Sequence, residues 1–466
     1  MFRICAGEGL RTLRGSWILT QLICVVQLAL YYEFCCPLAI HVGILRRRSR
    51  SSFRFRLRCF LGIAMATAAT SLQSSTGAQA RELVARARDM IPALKERSAQ
   101  AAAERCLPAQ TIHEMREAGF FRVLQPKRHG GFELDPQVFV DIQMTLAEGC
   151  MSSAWVYGVL GVHPFQLALF DARAQRDVWG SNDATLVSSS YQPVGTVERV
   201  EDGFRLSGRW GFSSGCDHCE WVLLGALIPP VEPGGAPDMR TFLLPRSDYQ
   251  IVHDWTVFGL QATGSHGIIV DKAFVPEYRT HRALDGFLCT NPGHAVNTSA
   301  LYRLPWAQVF VRAVSSAAIG ALQGSLDAFR NIAAKRVSTN TGKATKLDPA
   351  VLNAAARTQS AVYEMKTVMA RNFDEMMTRI RAGEEIPLQD RVRYRFESSQ
   401  VVRRCADLCD DLMPLLGGRA IYMDSPVVRY WLDINAARAH VANDPALIGN
   451  SLGAMYLGEN MQEFFV

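Results

Sequence analysis

The hydrophobic period of the chain changes twice, and that double change limits the folds open to it. From Ala80 to Arg105 the apolar residues Leu83, Ala87, Ile91 and Leu94 recur every three to four positions, which predicts an amphipathic helix. A second helix is expected over Thr111 to Ala118, stopped by Gly119. Asp135-Pro136 supplies an N-cap and first-turn pair for a third, running through Glu148. From Val187 the texture becomes short β-rich runs cut by glycine or proline: Gly195 to Val200, a turn at Asp202-Gly203, Phe204 to Phe212, Trp221 to Ile228, Thr241 to Leu244 and Ile268 to Val275. The stretch Pro229 to Gly235 reads as a loop between two of these strands. After Trp306 the helical period returns through Val309 to Lys335, Pro349 to Ala382 and Asp390 to Leu416, which suggests a bundle of long helices. The expected class is α+β, with an N-terminal helical domain over residues 65–184, a middle β-barrel domain over 185–285 and a C-terminal four-helix bundle over 286–466.

Residues 1–64 do not share that texture. They hold ten arginines against Glu8 and Glu33, a local charge of +8; since the whole chain carries +6, the remainder carries −2. A folded body with that balance offers no nucleic-acid footprint. Trp17 to Leu45 is almost wholly apolar and runs into Arg46, Arg47, Arg48 and Arg50, the pattern of a membrane anchor with a basic flank. The preferred reading is that translation begins at Met65 and that the enzyme is cytoplasmic; a membrane enters only if the leader is real. Cys5, Cys24, Cys35, Cys36 and Cys59 crowd the same leader, so the other seven cysteines form no disulfide framework. Cys216/Cys219 and Cys405/Cys409 are two pairs that a fold could join into a four-thiolate zinc site, but no metal is expected.

Several common signatures are missing. No GxGxxG follows a strand, Gly342-Lys343 lacks the rest of a phosphate-binding loop, and there is neither HExxH nor GxSxG. The chain therefore shows no nicotinamide site of its own.

Three segments resemble the acyl-CoA dehydrogenase superfamily over roughly residues 80–460, and specifically its two-component, reduced-flavin-dependent hydroxylases, such as those acting on 4-hydroxyphenylacetate and on the A ring of secosteroids. They are the run from Gly208 to Cys219 (GRWGFSSGCDHC), the run from Gly259 to His266 (GLQATGSH), and Gly417-Gly418-Arg419-Ala420-Ile421-Tyr422. The catalytic glutamate that the parent dehydrogenases carry beyond the segment matching Tyr430-Trp431-Leu432-Asp433 is replaced here by Ala439-His440-Val441-Ala442-Asn443-Asp444. The resemblance thus implies an oxygenase component that takes FMNH2 or FADH2 from a separate NAD(P)H:flavin reductase, uses O2 through a flavin C4a-hydroperoxide, and hydroxylates a small aromatic substrate. A flavin-bound dehydrogenase or oxidase, and a non-catalytic membrane-tethered relative, are the competing readings.

Such chemistry needs hydroxyl groups at the isoalloxazine edge and a group that favours the phenolate. By the resemblance, Ser214 lies against flavin N5, with Trp210 and Ser213 on the same strand and turn and Gly418 in the bundle glycine motif. Arg336 matches an arginine that reaches a flavin phosphate of a neighbouring subunit, which implies a homotetramer. Trp155, His163 and Ser189 match pocket residues. His440 is expected to act as base, with Asp444 at i,i+4 orienting the imidazole if the stretch is helical. Without the resemblance, Ser214 is part of a polar turn, His163 a satisfied core group, His440 a surface histidine and Arg336 a solvated helix-end cation.

Overall fold

The computed structural model describes residues 52–230, 237–339, 342–461 and 464–466, with side-chain surroundings from residue 77 onward. Residues 1–51 of the leader and most of the Pro229 to Gly235 loop lie outside the described residues. The chain divides into a short unit, Met1–Ser71, and a large one, Leu72–Val466, and the large unit carries the sheet and the helical bundle.

The first lobe contains α1 (Ser52–Glu104), α2 (Ala109–Glu117), α3 (Pro136–Ala147), α4 (Met151–Leu167) and α5 (Ala172–Trp179). Leu83, Ala87 and Leu94 are buried as the period of α1 requires. Asp135 precedes Pro136 as expected, yet its carboxylate does not cap α3; it pairs with Arg381 instead. Every residue of α4 is buried, so this helix is enclosed on all sides and holds whatever it carries rigidly.

The middle lobe is a seven-stranded sheet of order β5-β6-β2-β1-β3-β4-β7, whose ladder ends at β5 and β7 without pairing one to the other. Its strands are β1 (Val187–Val200), β2 (Gly203–Ser213), β3 (Trp221–Ile228), β4 (Asp238–Pro245), β5 (Gln250–Val252), β6 (His266–Pro276) and β7 (Thr280–Arg282). Only the β1–β3 pair is parallel. β1 begins eight residues before the Gly195 start expected from the sequence: Val187 to Ser190 pair with β3, the register shifts before Gly195, and the remainder pairs with β2. Inward-facing Phe204, Leu206, Trp210, Val222, Leu224, Phe242, Leu244, Ile268 and Val270 form the core of this lobe.

Helix α6 (Ala283–Leu288) leads to α7 (Trp306–Ala313) and the bundle: α8 (Ser316–Lys335), α9 (Pro349–Arg381), α10 (Leu388–Ser399), α11 (Val401–Leu412), α12 (Pro426–Ala437) and α13 (Pro445–Tyr456). Helix α8 packs against α9, α11 and α12, and also against α3, so one continuous core joins the two helical lobes. Trp306–Lys335 is long and apolar enough to cross a membrane by length and composition, but 94% of its apolar window is buried within the protein. Cys216 belongs to the β core, whereas Cys405 and Cys409 lie in the helical core beside Met365 and Ser325. No four-thiolate cluster forms among the described residues.

Candidate active site

The register of β2 against β6 shifts between Trp210 and Ser213, and that irregularity shapes the first part of the site. Phe212 adopts φ of +65° and is exposed, while Ser213 turns inward to donate to Ser188 at 3.2 Å. A bulky residue held at positive φ is strained, and such strain concentrates at functional positions. The strand corrects two expectations. The Trp210 side chain is wholly enclosed, its Nε1 donating to the Gln192 and Gly225 carbonyls, because strand alternation aims it into the β core. Ser213 likewise has no exposed surface. Neither side chain can touch a flavin, and the exposed ring beside Ser214 is Phe212, whose edge contact with Trp255 has centroids 5.8 Å apart.

Ser214 sits at one end of a string of hydroxyls. Thr263 Oγ1 donates to the Leu260 carbonyl at 2.8 Å, so it can only accept from Ser265 at 2.7 Å. Ser265 then has to accept from Ser214, also at 2.7 Å. Trp155 Nε1 donates to Ser214 Oγ at 3.3 Å. With its one proton committed and one lone pair used, the Ser214 oxygen has one lone pair left and can take a further partner only as an acceptor. That matches the N5–H of a reduced flavin, so the residues present fit the group that the resemblance implies.

The loop carrying this string is tied to the bundle. Gly259 lies so close to α12 that a Cβ there would come within 2.1 Å of the Leu432 carbonyl oxygen, which explains why this signature opens on glycine. Asp433, buried on α12, accepts from Leu260 N at 2.6 Å and from Ser152 at 3.3 Å, joining all three lobes. Burial raises its pKa to about 6 against the pull of those hydrogen bonds.

Trp155 links the hydroxyl string to an aromatic cluster. Its ring meets His440 edge-on at 5.9 Å, and Phe310 lies 6.3 Å from His440. Phe310 in turn contacts Tyr191 and Trp306 at 5.1 and 5.2 Å. Ser189, half-buried, shares the β1 face of Tyr191. His163 is brought near but not into this cluster: it is fully buried, its Nδ1 bonded to the Val187 carbonyl at 2.5 Å and its ring edge-on to Tyr191. Burial lowers its pKa to about 4. Its Nε2 is buried without a partner, and the Tyr191 hydroxyl donates to Gln166 at 2.6 Å.

His440 is half-buried at the start of a short 3-10 turn, Val441–Asn443. Its Nδ1 accepts from Ala442 N at 3.1 Å, which places the proton of the neutral ring on Nε2. Burial and the nearby Arg395 guanidinium lower its pKa to about 4. Arg395 also holds the Ala442 carbonyl at 2.8 Å, and Asn443 donates to Val314 and Ala437, so the turn is pinned from three sides. The expected His440–Asp444 pair is absent. Asp444 is exposed and caps α13 by accepting from Ala446 N at 2.9 Å, because Pro445 starts a new helix and the stretch between is not α-helical.

Arg336 and the bundle glycines, distant in sequence, meet. The Arg336 fork donates to Leu415 O and Thr345 Oγ1, and its Nη2 fills the space a Cβ on Gly417, at φ +66°, would need. Gly418 opens onto free space.

Residues 77–180 match the family model of the acyl-CoA dehydrogenase N-terminal domain, and residues 313–445 that of an acyl-CoA dehydrogenase C-terminal domain. The oxygenase subunit HsaA of a flavin-dependent monooxygenase from Rhodococcus jostii is 36% identical over 76% of this chain and 93% of its own length. The chain belongs to the oxygenase components of the flavin-dependent monooxygenases. The FADH2-dependent resorcinol hydroxylase oxygenase component of a Rhizobium strain is 29% identical over 81% of this chain and 94% of its own. Among solved structures, a 3-HSA hydroxylase from Rhodococcus sp. RHA1 superposes with a TM-score of 0.78 at 33% identity, covering 83% of this chain and 99% of that one. The protein is thus a reduced-flavin-dependent aromatic hydroxylase on the acyl-CoA dehydrogenase fold, working with a separate reductase. Its aromatic cluster of Tyr191, Trp306 and Phe310 and the polar pins Arg395 and Asn443 carry no short sequence signature. Phe212 and Ser265 lie inside the two β-lobe motifs and could have been read from them.

Proposed function

We propose that this oxygenase takes FMNH2 or FADH2 from a separate NAD(P)H:flavin reductase and hydroxylates a phenol held among Trp155, Ser189, Tyr191, Phe310 and His440. The bound flavin would supply two electrons and carry the oxygen of O2 that is inserted into the ring, the other oxygen leaving as water. Ser214 accepts at the flavin edge, and His440 donates from Nε2 to the substrate oxygen, which stabilises the phenolate left when the phenol proton passes to solvent, the electron-rich form of the ring. The observation that carries this reading is the fixed polarity of these two groups, an acceptor on Ser214 and a donor on His440, bridged by Trp155. Dehydrogenation is disfavoured because neither nearby carboxylate is available as a base: Asp433 is committed to Leu260 and Ser152, and Asp444 to Ala446.

Arg336 and the backbone at Gly418 would meet the phosphate of a flavin bound by a neighbouring copy, within a homotetramer. The exposed apolar side chains Val337, Leu347, Ile421, Tyr422 and Met423 on nearby segments support that reading, since they suit a protein interface.

Supplied with chemically reduced FMN, a phenol and oxygen, the isolated chain should yield a catechol with no reductase present. Turnover of NADH by the chain alone would overturn the two-component reading. Ser214→Ala should leave the fold intact but divert more of the oxygen consumed into hydrogen peroxide, the lost hydrogen bond being worth about 1 kcal/mol or somewhat more. Peroxide formed per flavin oxidised measures it, and an unchanged ratio would remove Ser214 from the flavin edge.

A further inference from the structure

One group of ligating side chains lies outside the phenol site. Asp217 lies in the turn after β2, His253 follows β5, and His266 opens β6. Asp217 Oδ1 is 3.0 Å from His253 Nε2, and Oδ2 is 3.4 Å from His266 Nε2. One ligand atom from each residue falls within 4.8 Å of the others, the only such group of His, Cys, Asp or Glu among the described residues. The two imidazole centroids are 4.5 Å apart.

The two Nε2 atoms approach different oxygens of one carboxylate, so three potential ligand groups already converge from three separate segments. Ligands bonded to zinc at about 2.0–2.1 Å in a tetrahedron stand about 3.3 Å apart, a value between the 3.0 and 3.4 Å separations found. Access is open: the His253 side chain is 66% exposed, and Asp217 lines a surface groove of about 390 Å³ with His113, Arg116 and Glu220.

We propose that Asp217, His253 and His266 form a zinc site with its fourth position facing solvent. Two nitrogens and one carboxylate oxygen suit zinc among the common divalent ions, and harder ions prefer all-oxygen sites. Zinc brings no redox chemistry, so its work here is positional. Ser213 pairs with His266 in the sheet, Ser265 directly precedes His266, and Ser214 lies three residues before Asp217. An ion bound there would clamp the end of β2 to the start of β6 and hold the hydroxyl string in register.

The test uses the full chain, stripped with a chelator and titrated with Zn2+, and separately with Co2+ as a visible probe. The expected result is a site with a Kd at or below micromolar, the d–d absorption of four-coordinate cobalt, and a rise in Tm on adding zinc. His253→Ala, an exposed change that spares the core, should weaken this binding at least a hundredfold. Asp217→Asn should do the same, while Cys106→Ser, which removes a neighbouring thiol, should retain it. Affinity unchanged in His253→Ala, or no zinc binding beyond that of Asp217→Asn, would overturn the site and leave a hydrogen-bonded trio.

Discussion

His440→Ala is expected to lower kcat/KM for phenol hydroxylation by about two to three orders of magnitude, the scale seen when a donor to a developing or bound oxyanion is removed. Reduced-flavin affinity should be retained, because the ring contacts of His440 are with Trp155 and Phe310 and not with the hydroxyl string. The tautomer distinguishes two roles. With Nδ1 accepting from Ala442 N, Nε2 carries the proton and can donate but cannot abstract. His440→Gln keeps a donor without a base and should recover part of the loss. Since the imidazole titrates at about 4, raising pH from 5 to 8 should produce no step near 6.5 from this residue. A glutamine variant as inactive as the alanine variant would restore the general-base reading.

Asp433→Asn should change how stability depends on pH. Burial raises the folded-state pKa from 3.8 to about 6, so between these values the folded chain binds more protons than the unfolded one. The contribution of Asp433 is therefore fully present below pH 3.8 and is lost as pH rises through 6, a decline of roughly 3 kcal/mol at 1.36 kcal/mol per pKa unit. Asparagine can still accept from Leu260 N through its oxygen and donate to Ser152 through its nitrogen. The variant should match the parent near pH 4 and exceed it in denaturant stability near pH 7. Parallel stability curves across that range would show that the buried carboxylate is not the source.

Lobes and motifs were legible because they rest on short-range pattern. The 3.6 period marked α1 and α8, and the period of 2 marked β2 and β6, whose alternation also places Trp210 inward. The β texture was legible from Val187, but the first run named began only at Gly195, because Val187 to Ser190 pair with β3, a parallel and non-local partner. Asp444 was misjudged for want of a local test that the chain itself offers: Asp444-Pro445 is the same helix-opening dipeptide as Asp135-Pro136, and a residue that opens a new helix cannot sit at i+4 of an old one. The aromatic cluster could not be read at all. Tyr191, Trp306, Phe310 and His440 come from β1, α7 and the turn after α12, and only packing of the β lobe on the C-terminal helices brings them together.

The hydroxyl string has a further consequence for the traffic of flavin through the site. Because Leu260 O ends the string with a group that cannot donate, every hydroxyl up to Ser214 is oriented one way. An oxidised flavin presents a bare lone pair at N5, which would meet the lone pair of Ser214 and be repelled. With Ser214 at the flavin edge as proposed, the string would discriminate between oxidation states, favouring entry of the charged carrier and departure of the spent one. A backbone carbonyl three residues before Thr263 would then set the direction of exchange with the reductase.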